Sequence, residues 1–567
     1  MKIKSQLSQI IEQALTNADI EASEIIISDA TKPEFGDYQY NGVMKLAKIL
    51  KKNPREIATT VAQHINTTGM ISKVEVAGPG FINIWLNNEW LSTQTTSILD
   101  DNRVGVGYVN TPQKVVVDYS GPNMAKQMHV GHLRSSIIGD TLATLLEFLG
   151  NDVIRQNHIG DWGTQFGMLI AHLEEKNTDG NTQELKDLEQ FYKDAKVRFD
   201  QSEEFANKAR EYVVKIQTGD KHCLTLWQSF INASLGHCEE VYEKLNVNLT
   251  REDVRAESFY NNQLSQVVTT LKDKNISTIS NGAECVFVDG EDKAPVIIQK
   301  GDGGFLYATT DLAALNFRDK RLNADRICYV VDARQAQHFK QVFTIAKQAE
   351  MVKEDVALEH IGFGTMMDKG GKPFKTRDGG TVKLVDLLDE AVVRARDTIK
   401  KRDLHSQEEL ESVAKAIGIG AVKYADLSIS RESNYIFSWD KMLSFEGNTS
   451  LYMQYAYARI QSILRKHNAE INGDIIVADD IEHRLALMLL KFEDTLIKAS
   501  IEATPHTITS YLYDLVTIFM KFYELNPILK EEIAQETKMS RLQLAMLTGE
   551  VIKKGLEILG IDVVDRI

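Results

Sequence analysis

The residues most able to do chemistry are two histidines that flank Val-Gly in the run His129-Val-Gly-His132. They stand where a strand pattern gives way to a helix pattern. Backbone N–H groups at a helix N-terminus point toward anions, and the helix dipole favours negative charge there. Imidazoles at that end can donate to phosphate oxygens, and Gly131 leaves room for a flat base to approach the backbone. A second run, Lys369-Gly-Gly-Lys-Pro-Phe-Lys375, lies far downstream within Gly362 to Gly380. Its ammonium groups, Lys372 and Lys375 above all, could close over a triphosphate and neutralise charge that builds in a transition state. Taken alone, such a run also describes a solvated hairpin.

These groups need a scaffold, and the flanking pattern supplies one. Val115 to Ser120 reads as a short apolar strand broken by Gly121-Pro-Asn123. A helix is expected over Val130–Leu149, with Val130, Leu133, Ile137, Leu142, Leu145 and Leu149 on one side and Gly150 as terminator. Asp152–Gln156 restarts a strand. Such alternation predicts an α/β, Rossmann-like parallel sheet covered by helices. Residues 174–252 read as a charged helical insertion. Strand signals return at Glu284–Val288, Val296–Gln299, Phe305–Tyr307 and Ile327–Val331.

Both flanks differ from this middle. Before it, Ser5–Ala18, Gly42–Lys51 and Arg55–Ile65 have helical spacing, and Val74–Leu86 reads as two strands around Gly-Pro-Gly. After it, Leu451–Lys466, Ile481–Ile501, Ile508–Leu525 and Arg541–Leu559 are long amphipathic stretches, two of them ended by Pro527 and Gly560. Three domains are expected: an N-terminal α+β unit over 1–112, a catalytic α/β domain over 113–443, and a C-terminal all-helical bundle over 444–567.

Composition sets the outer limits. A chain of 567 residues, 43% hydrophobic and 26% charged, is globular and too long for one ordinary domain. No secretory signal and no membrane-spanning run is read, so a cytoplasmic protein that does not engage a membrane is expected. The 4 cysteines, Cys223, Cys238, Cys285 and Cys328, contain no CxxC pair, so neither structural zinc nor disulfides are expected. The net charge of -15 leaves room for RNA only on a locally basic face.

Position and context sharpen the two motifs. Together they resemble the HIGH and KMSKS signatures of class I aminoacyl-tRNA synthetases. Val117 to Asp140, Arg155 to Met168, Gly371-Lys-Pro-Phe-Lys-Thr-Arg377 and Ser444 to Arg459 are similar to the arginyl branch, over the whole chain. The resemblance implies ATP with Mg2+ as the substrate complex, L-arginine, tRNA(Arg) and a monomer. It implies His129, His132, Lys372, Lys375 and Lys126 as catalytic groups, with Gly131, His338 and Met367 also on the ATP. It sets Asp311, Tyr307 and Gln335 around the guanidinium, a planar fork of donors that a carboxylate matches bidentately. Without that context, Asp311 would read as an ordinary helix N-cap. Ser120, Asn123, His132 and Asp118 are implied at the backbone end of arginine, with His158 and Asp161 close by. The C-terminal part resembles an anticodon-binding bundle, in which Asn448, Tyr452, Gln454, Tyr455, Tyr457 and Arg459 offer stacking and polar contacts. The first domain resembles the extension that meets the tRNA elbow, and makes Phe35, Tyr38 and Gln39 candidate contacts.

The implied reaction has two steps. Arginine is first activated as its adenylate, and the terminal 2′-OH of the tRNA then takes it. The family also implies that activation can require bound tRNA. Three rival readings fit less well. A cysteinyl or glutamyl enzyme lacks support, because no Cys/His cluster reads a thiol and the pocket candidate is an acid. A small-molecule nucleotidyltransferase needs no large helical bundle. A non-catalytic tRNA-binding paralogue need not retain His129, His132 and Lys375.

Overall fold

The computed structural model describes residues 3–21, 24–176, 188–290, 292–372, 374, 382–400 and 406–567. At its centre is a four-stranded parallel sheet in the order Ala357–His360, Arg326–Tyr329, Lys114–Asp118, Asp152–Gln156. The central strand is fully buried from Val115 to Val117. Val115 and Val117 enter the large core, and Val116 enters a second core on the other face. A continuous β-branched run is what a strand covered on both faces requires. The helix Val130–Phe148 follows it and is buried nearly all round. Its Asp140 sits in the interior, accepting from Tyr119 Oη (2.8 Å) and from the Asn248 N–H (2.9 Å).

The strand order fixes where a ligand can enter. The chain leaves Lys114–Asp118 for Asp152–Gln156 on one side, and returns much later as Arg326–Tyr329 on the other. The order therefore reverses between the two central strands, and a crevice opens beyond their carboxyl ends. Asp118 and Tyr329 are paired at that end. The segments that follow them carry His129 to His132 and Gln335 to His338 respectively.

The insertion is helical, holding Leu188–Gln201, Glu203–Gln217 and Lys221–Leu245, and it follows the helix Thr164–Glu175. The N-terminal unit is an antiparallel sheet in the order Ile27–Asp29, Tyr38–Tyr40, Phe81–Leu86, Ile71–Ala77, covered by Ile3–Asn17, Val43–Leu50 and Pro54–Gln63. The C-terminal bundle holds Ser450–His467, Asp480–Leu490, Phe492–Glu502, Pro505–Leu525 and Gln535–Ile558. The two flanking units touch directly. His483 bridges Asn88 (2.7 Å) and Asp37 (2.9 Å), and Lys491 pairs with Asp29 at 2.6 Å. Among the described residues no helix is long and apolar enough to cross a membrane.

Three expectations are corrected. Phe305–Tyr307 is no strand: Phe305 makes one bridge to Gln299, and a helix starts at Tyr307. The stretch Ile481–Ile501 is two helices meeting at Lys491, whose side chain is drawn to Asp29 and over the Tyr38 ring. The region between the lysine run and the bundle, for which no element was read, holds the helices Leu384–Ile399 and Gln407–Leu427.

Candidate active site

The two histidines cap their own helix. His129 is the N-cap of Val130–Phe148, and its Nδ1 accepts from the Gly131 N–H at 3.0 Å. In return, His132 Nδ1 accepts from the His129 N–H at 3.1 Å. The ring centroids are 4.1 Å apart. This is a capping box built from imidazoles, with orphan N–H groups satisfied reciprocally. Burial, then the charge of Lys126, lowers the pKa of His129. Burial, then His129, pushes that of His132 down to about 3. Both rings are therefore neutral near pH 7. Because each Nδ1 lone pair is taken by a backbone N–H, each proton sits on Nε2. Two donors are thus presented at a helix N-terminus. Gly131 has a reason the sequence did not reveal: a Cβ there would lie 2.7 Å from Cε1 of His129.

Behind the imidazoles the polar groups interlock. Ser120 has a left-handed backbone (φ 71°), and its Oγ shares hydrogen bonds with Tyr242 Oη (2.8 Å) and Ser136 Oγ (3.1 Å). Asn123 is exposed and bridges Gly160. Asp161 is buried with both oxygens committed to Ser258, at 2.9 Å to its N–H and 2.5 Å to its Oγ. The His158 ring stacks on Tyr260 at 5.6 Å. Asp118 is a correction: its carboxylate pairs with the buried Arg318 at 2.7 Å, and that guanidinium also donates to Gln156 at 2.7 Å. A carboxylate paired with a buried internal cation reads as scaffold.

The other wall of the crevice is acidic. Tyr307 and Asp311 stand one turn apart on the helix Tyr307–Lys320 and so share a face. Tyr307 is 73% exposed. Asp311 accepts from His338 Nε2 at 2.6 Å. Gln335 is exposed at the N-cap of Ala336–Gln348, one turn before His338. The sequence reading missed Glu257. Burial first, then the charges of Asp161 and Asp311, push its pKa up to about 7. Glu257 thus lies within electrostatic reach of both Asp161 and Asp311. The only available signal was an acid beside the Asp161 partner Ser258, and sequence spacing does not reveal that proximity.

The lysine run begins at a tight turn. Met366–Met367 pairs in parallel with Tyr435–Ile436. Asp368 Oδ1 then accepts from the N–H groups of Gly370 (2.8 Å) and Lys372 (3.0 Å). Met367 is half-buried and Lys372 exposed, whereas Lys375 lies outside the described residues. The far side of the run returns to the histidines: Val130 N–H donates to Val382 O (3.1 Å), and Leu384 N–H to Met128 O (3.0 Å). The insertion helix Leu188–Gln201 reaches the same mouth. Its Glu189 pairs with Lys383 at 3.0 Å, and Lys126 Nζ stands 5.2 Å from the Tyr192 ring centre.

The family model "tRNA synthetases class I (R), catalytic domain" matches residues 94–439. "Arginyl tRNA synthetase N terminal domain" matches 2–86, and "DALR anticodon binding domain" matches 453–567. The chain is 51% identical over 576 residues to an arginine--tRNA ligase of Alteromonas mediterranea, covering 100% of both. It is 52% identical over 574 residues to that of Laribacter hongkongensis, again covering 100% of both. The chain belongs to the arginyl-tRNA synthetase family. The solved arginyl-tRNA synthetase of Plasmodium falciparum superposes with a TM-score of 0.86 at 29% identity, covering 100% of this chain and 99% of that one. The Thermus thermophilus arginyl-tRNA synthetase shares the fold, with a TM-score of 0.83 at 23% identity and 100% of both chains covered.

For an arginyl-tRNA synthetase the RNA-facing residues matter as much as the crevice, and the structure sorts the candidates. In the bundle, Tyr455, Arg459 and Tyr523 line a surface cavity of about 900 Å³ together with Arg465, Lys466 and Lys530. Arg459 donates to Tyr455 Oη at 2.8 Å and lies over both tyrosine rings. Tyr452 is half-buried against Tyr513. Asn448 accepts from Tyr424 Oη at 2.7 Å. Gln454 is a correction. It is 0% exposed and straps Asp562 O and Ala416 O, so it holds the bundle together. Tyr457 is likewise buried. Tyr38 is the third such correction: it is 0% exposed within the N-terminal core, while Phe35 and Gln39 keep partial exposure. Strand alternation explains this, since neighbouring residues of Tyr38–Tyr40 face opposite sides.

Proposed function

We propose that the crevice joins arginine to ATP and then to tRNA(Arg), with the acidic wall holding the guanidinium and the imidazole pair holding the phosphates. The observation that carries this reading is the pairing of opposite chemistries across one switch point. Asp311, with Glu257 within electrostatic reach of it, stands on one wall, and two Nε2–H donors head a helix on the other.

In the first step the arginine carboxylate attacks the α-phosphorus of magnesium-bound ATP in line. The bond from α-phosphorus to the bridging oxygen breaks, and pyrophosphate leaves with that oxygen. The protein's contribution is alignment and charge stabilisation. His129 and His132 donate to phosphate oxygens without changing protonation. Lys372 and Lys375 close from the loop, Lys126 adds positive charge at the mouth, and Gly131, His338 and Met367 border the nucleotide. Asp311 anchors the guanidinium, aided by Tyr307 and Gln335. Ser120 and Asn123 shape the pocket at the amino and carboxylate end. In the second step the terminal 2′-OH of the tRNA attacks the adenylate carbonyl, the bond from that carbon to the phosphate oxygen breaks, and AMP departs with the hydroxyl proton on its phosphate. No nucleophile of the enzyme is needed.

The domain division at 112 and 443 fits a three-part grip on the RNA. The elbow lies against the N-terminal unit near Phe35 and Gln39, and the anticodon lies in the cavity of Tyr455 and Arg459. Charging total tRNA with each amino acid in turn tests the reading. Arginine alone should be esterified, and acceptance of a different amino acid, or of none, would refute it.

A further inference from the structure

Two arginines outside the crevice grip the same helix end. The bundle helix Phe492–Glu502 stops at Ala503, whose backbone is left-handed (φ 50°). The last carbonyls of a helix lack internal partners and carry partial negative charge, so cations suit them. Arg326 of the central sheet donates to Ser500 O at 3.2 Å, and it forks onto Glu359 at 2.9 and 2.8 Å. Arg431 donates from Nε to Ala503 O at 3.0 Å.

Their other attachments differ. Arg326 ends within the central sheet, on Glu359 of the neighbouring strand. Arg431 donates from Nη1 to Gly362 O at 2.7 Å, and its own carbonyl accepts from the Gly364 N–H at 2.8 Å. Gly362 and Gly364 lead straight into Met366–Met367 and the turn of the lysine run. The fit is close: a Cβ on Gly364 would lie 2.6 Å from Ser433 O. That same carbonyl accepts from Arg134 Nη1 at 2.9 Å, and Arg134 sits on the histidine helix. Asn434 Oδ1 accepts from the Thr365 N–H at 2.6 Å. Residues 431–434 thus form a seam between the bundle helix, the strand before the lysine run and the helix of His129 and His132.

We infer that Arg431 is a positioning residue for the activation step, fixing the strand before the lysine run against a bundle helix so that RNA held on the bundle bears on the ATP side of the crevice. The inference rests on the assignment of the crevice to adenylate formation. An alanine at 431 leaves both Gly362 O and Ala503 O without their charged donor, whereas a lysine reaches only one of them.

The test uses the full chain with three variants: R431A, R431K and R326Q. Arginine-dependent pyrophosphate exchange in R431A should show KM for ATP raised about tenfold with KM for arginine nearly unchanged, and R431K should recover part of the loss. Arg326 grips the same helix but not Gly362, so R326Q should lower the urea midpoint and leave both KM values alone. Deuterium exchange at residues 362–367, with and without a tRNA(Arg) transcript, gives a readout that needs no turnover. The transcript should slow exchange in wild type and in R326Q but not in R431A. If R431A does not fold, R431K carries the same comparison. Equal effects of R431A and R326Q on KM for ATP, or exchange in R431A that responds to RNA as wild type does, would overturn the inference. A wild type that charges no arginine would refute the crevice assignment, while the deuterium comparison would still decide the linkage.

Discussion

Nε2 of His338 lies 2.6 Å from Oδ2 of Asp311. The carboxylate assigned to the guanidinium is therefore already oriented, by a side chain from the neighbouring helix. An oriented acceptor loses little freedom on binding, which favours discrimination for a planar forked cation. Asp311→Asn keeps the shape and removes the charge. Arginine KM should rise about a hundredfold, since a charge-assisted pair is lost in a partly dry site, with KM for ATP little changed. Steady-state pyrophosphate exchange measures both, and an unaltered arginine KM would remove Asp311 from the pocket.

Glu257 should make arginine binding sensitive to pH. Its folded pKa, about 7, is raised above the ordinary glutamate value of about 4.5. The stability it contributes is complete below about 4.5 and is lost as pH rises through about 7. A bound guanidinium needs the ionised form, so arginine affinity should weaken about tenfold per pH unit below that pKa. Calorimetry from pH 5.5 to 8, in buffers of different ionisation enthalpy, should show proton release on binding near neutrality. Glu257→Gln should flatten the dependence, and a flat wild-type profile would exclude this role.

His132 should not titrate in the working range. Its folded pKa of about 3 lies below the ordinary imidazole value of about 6.5, so the stability of its neutral form is complete above about 6.5 and fades as pH falls toward 3. His132→Ala should slow pyrophosphate exchange about a hundredfold, as expected for one lost donor to a developing charge, while circular dichroism stays that of wild type. The wild-type rate should show no acid limb from this group above about pH 5. A wild-type rate in the variant would end its assignment to the phosphates.

Asp118 should matter for stability and not for recognition. Asp118→Asn leaves Arg318 buried without its counter-ion, at a cost of about 3 kcal/mol. Urea unfolding should shift accordingly, and the folded variant should keep the arginine KM of wild type. A raised KM without loss of stability would return Asp118 to the binding site.

The sequence made some of this legible for physical reasons. Period and length predicted the histidine helix, the central strand and most of the bundle, because long periodic runs with clear ends constrain the backbone locally. The pairing of His129 with His132 was within reach, as both sit in the first turn of one helix. Asp118 misled because nothing local announces Arg318, two hundred positions away. Gln454 and Tyr38 misled because polar and aromatic side chains look alike in sequence whether they face solvent or close a core. Glu257 was missed because its neighbours come from other segments. Tertiary proximity decided each of these cases, and a one-dimensional pattern does not carry it.

The helix Phe492–Glu502 is gripped at both ends, by the Gly107 N–H on Glu493 at 3.0 Å and by Arg326 and Arg431 on its last carbonyls. A chain cut near residue 443 would strip those arginines of their acceptors and bare the surface where the bundle sits. The nucleotide-binding portion should therefore be less stable as a separate fragment than within the full chain. Minimal versions of this molecule, or chimeras that exchange its RNA-reading end, need to carry this strut or supply a replacement for it.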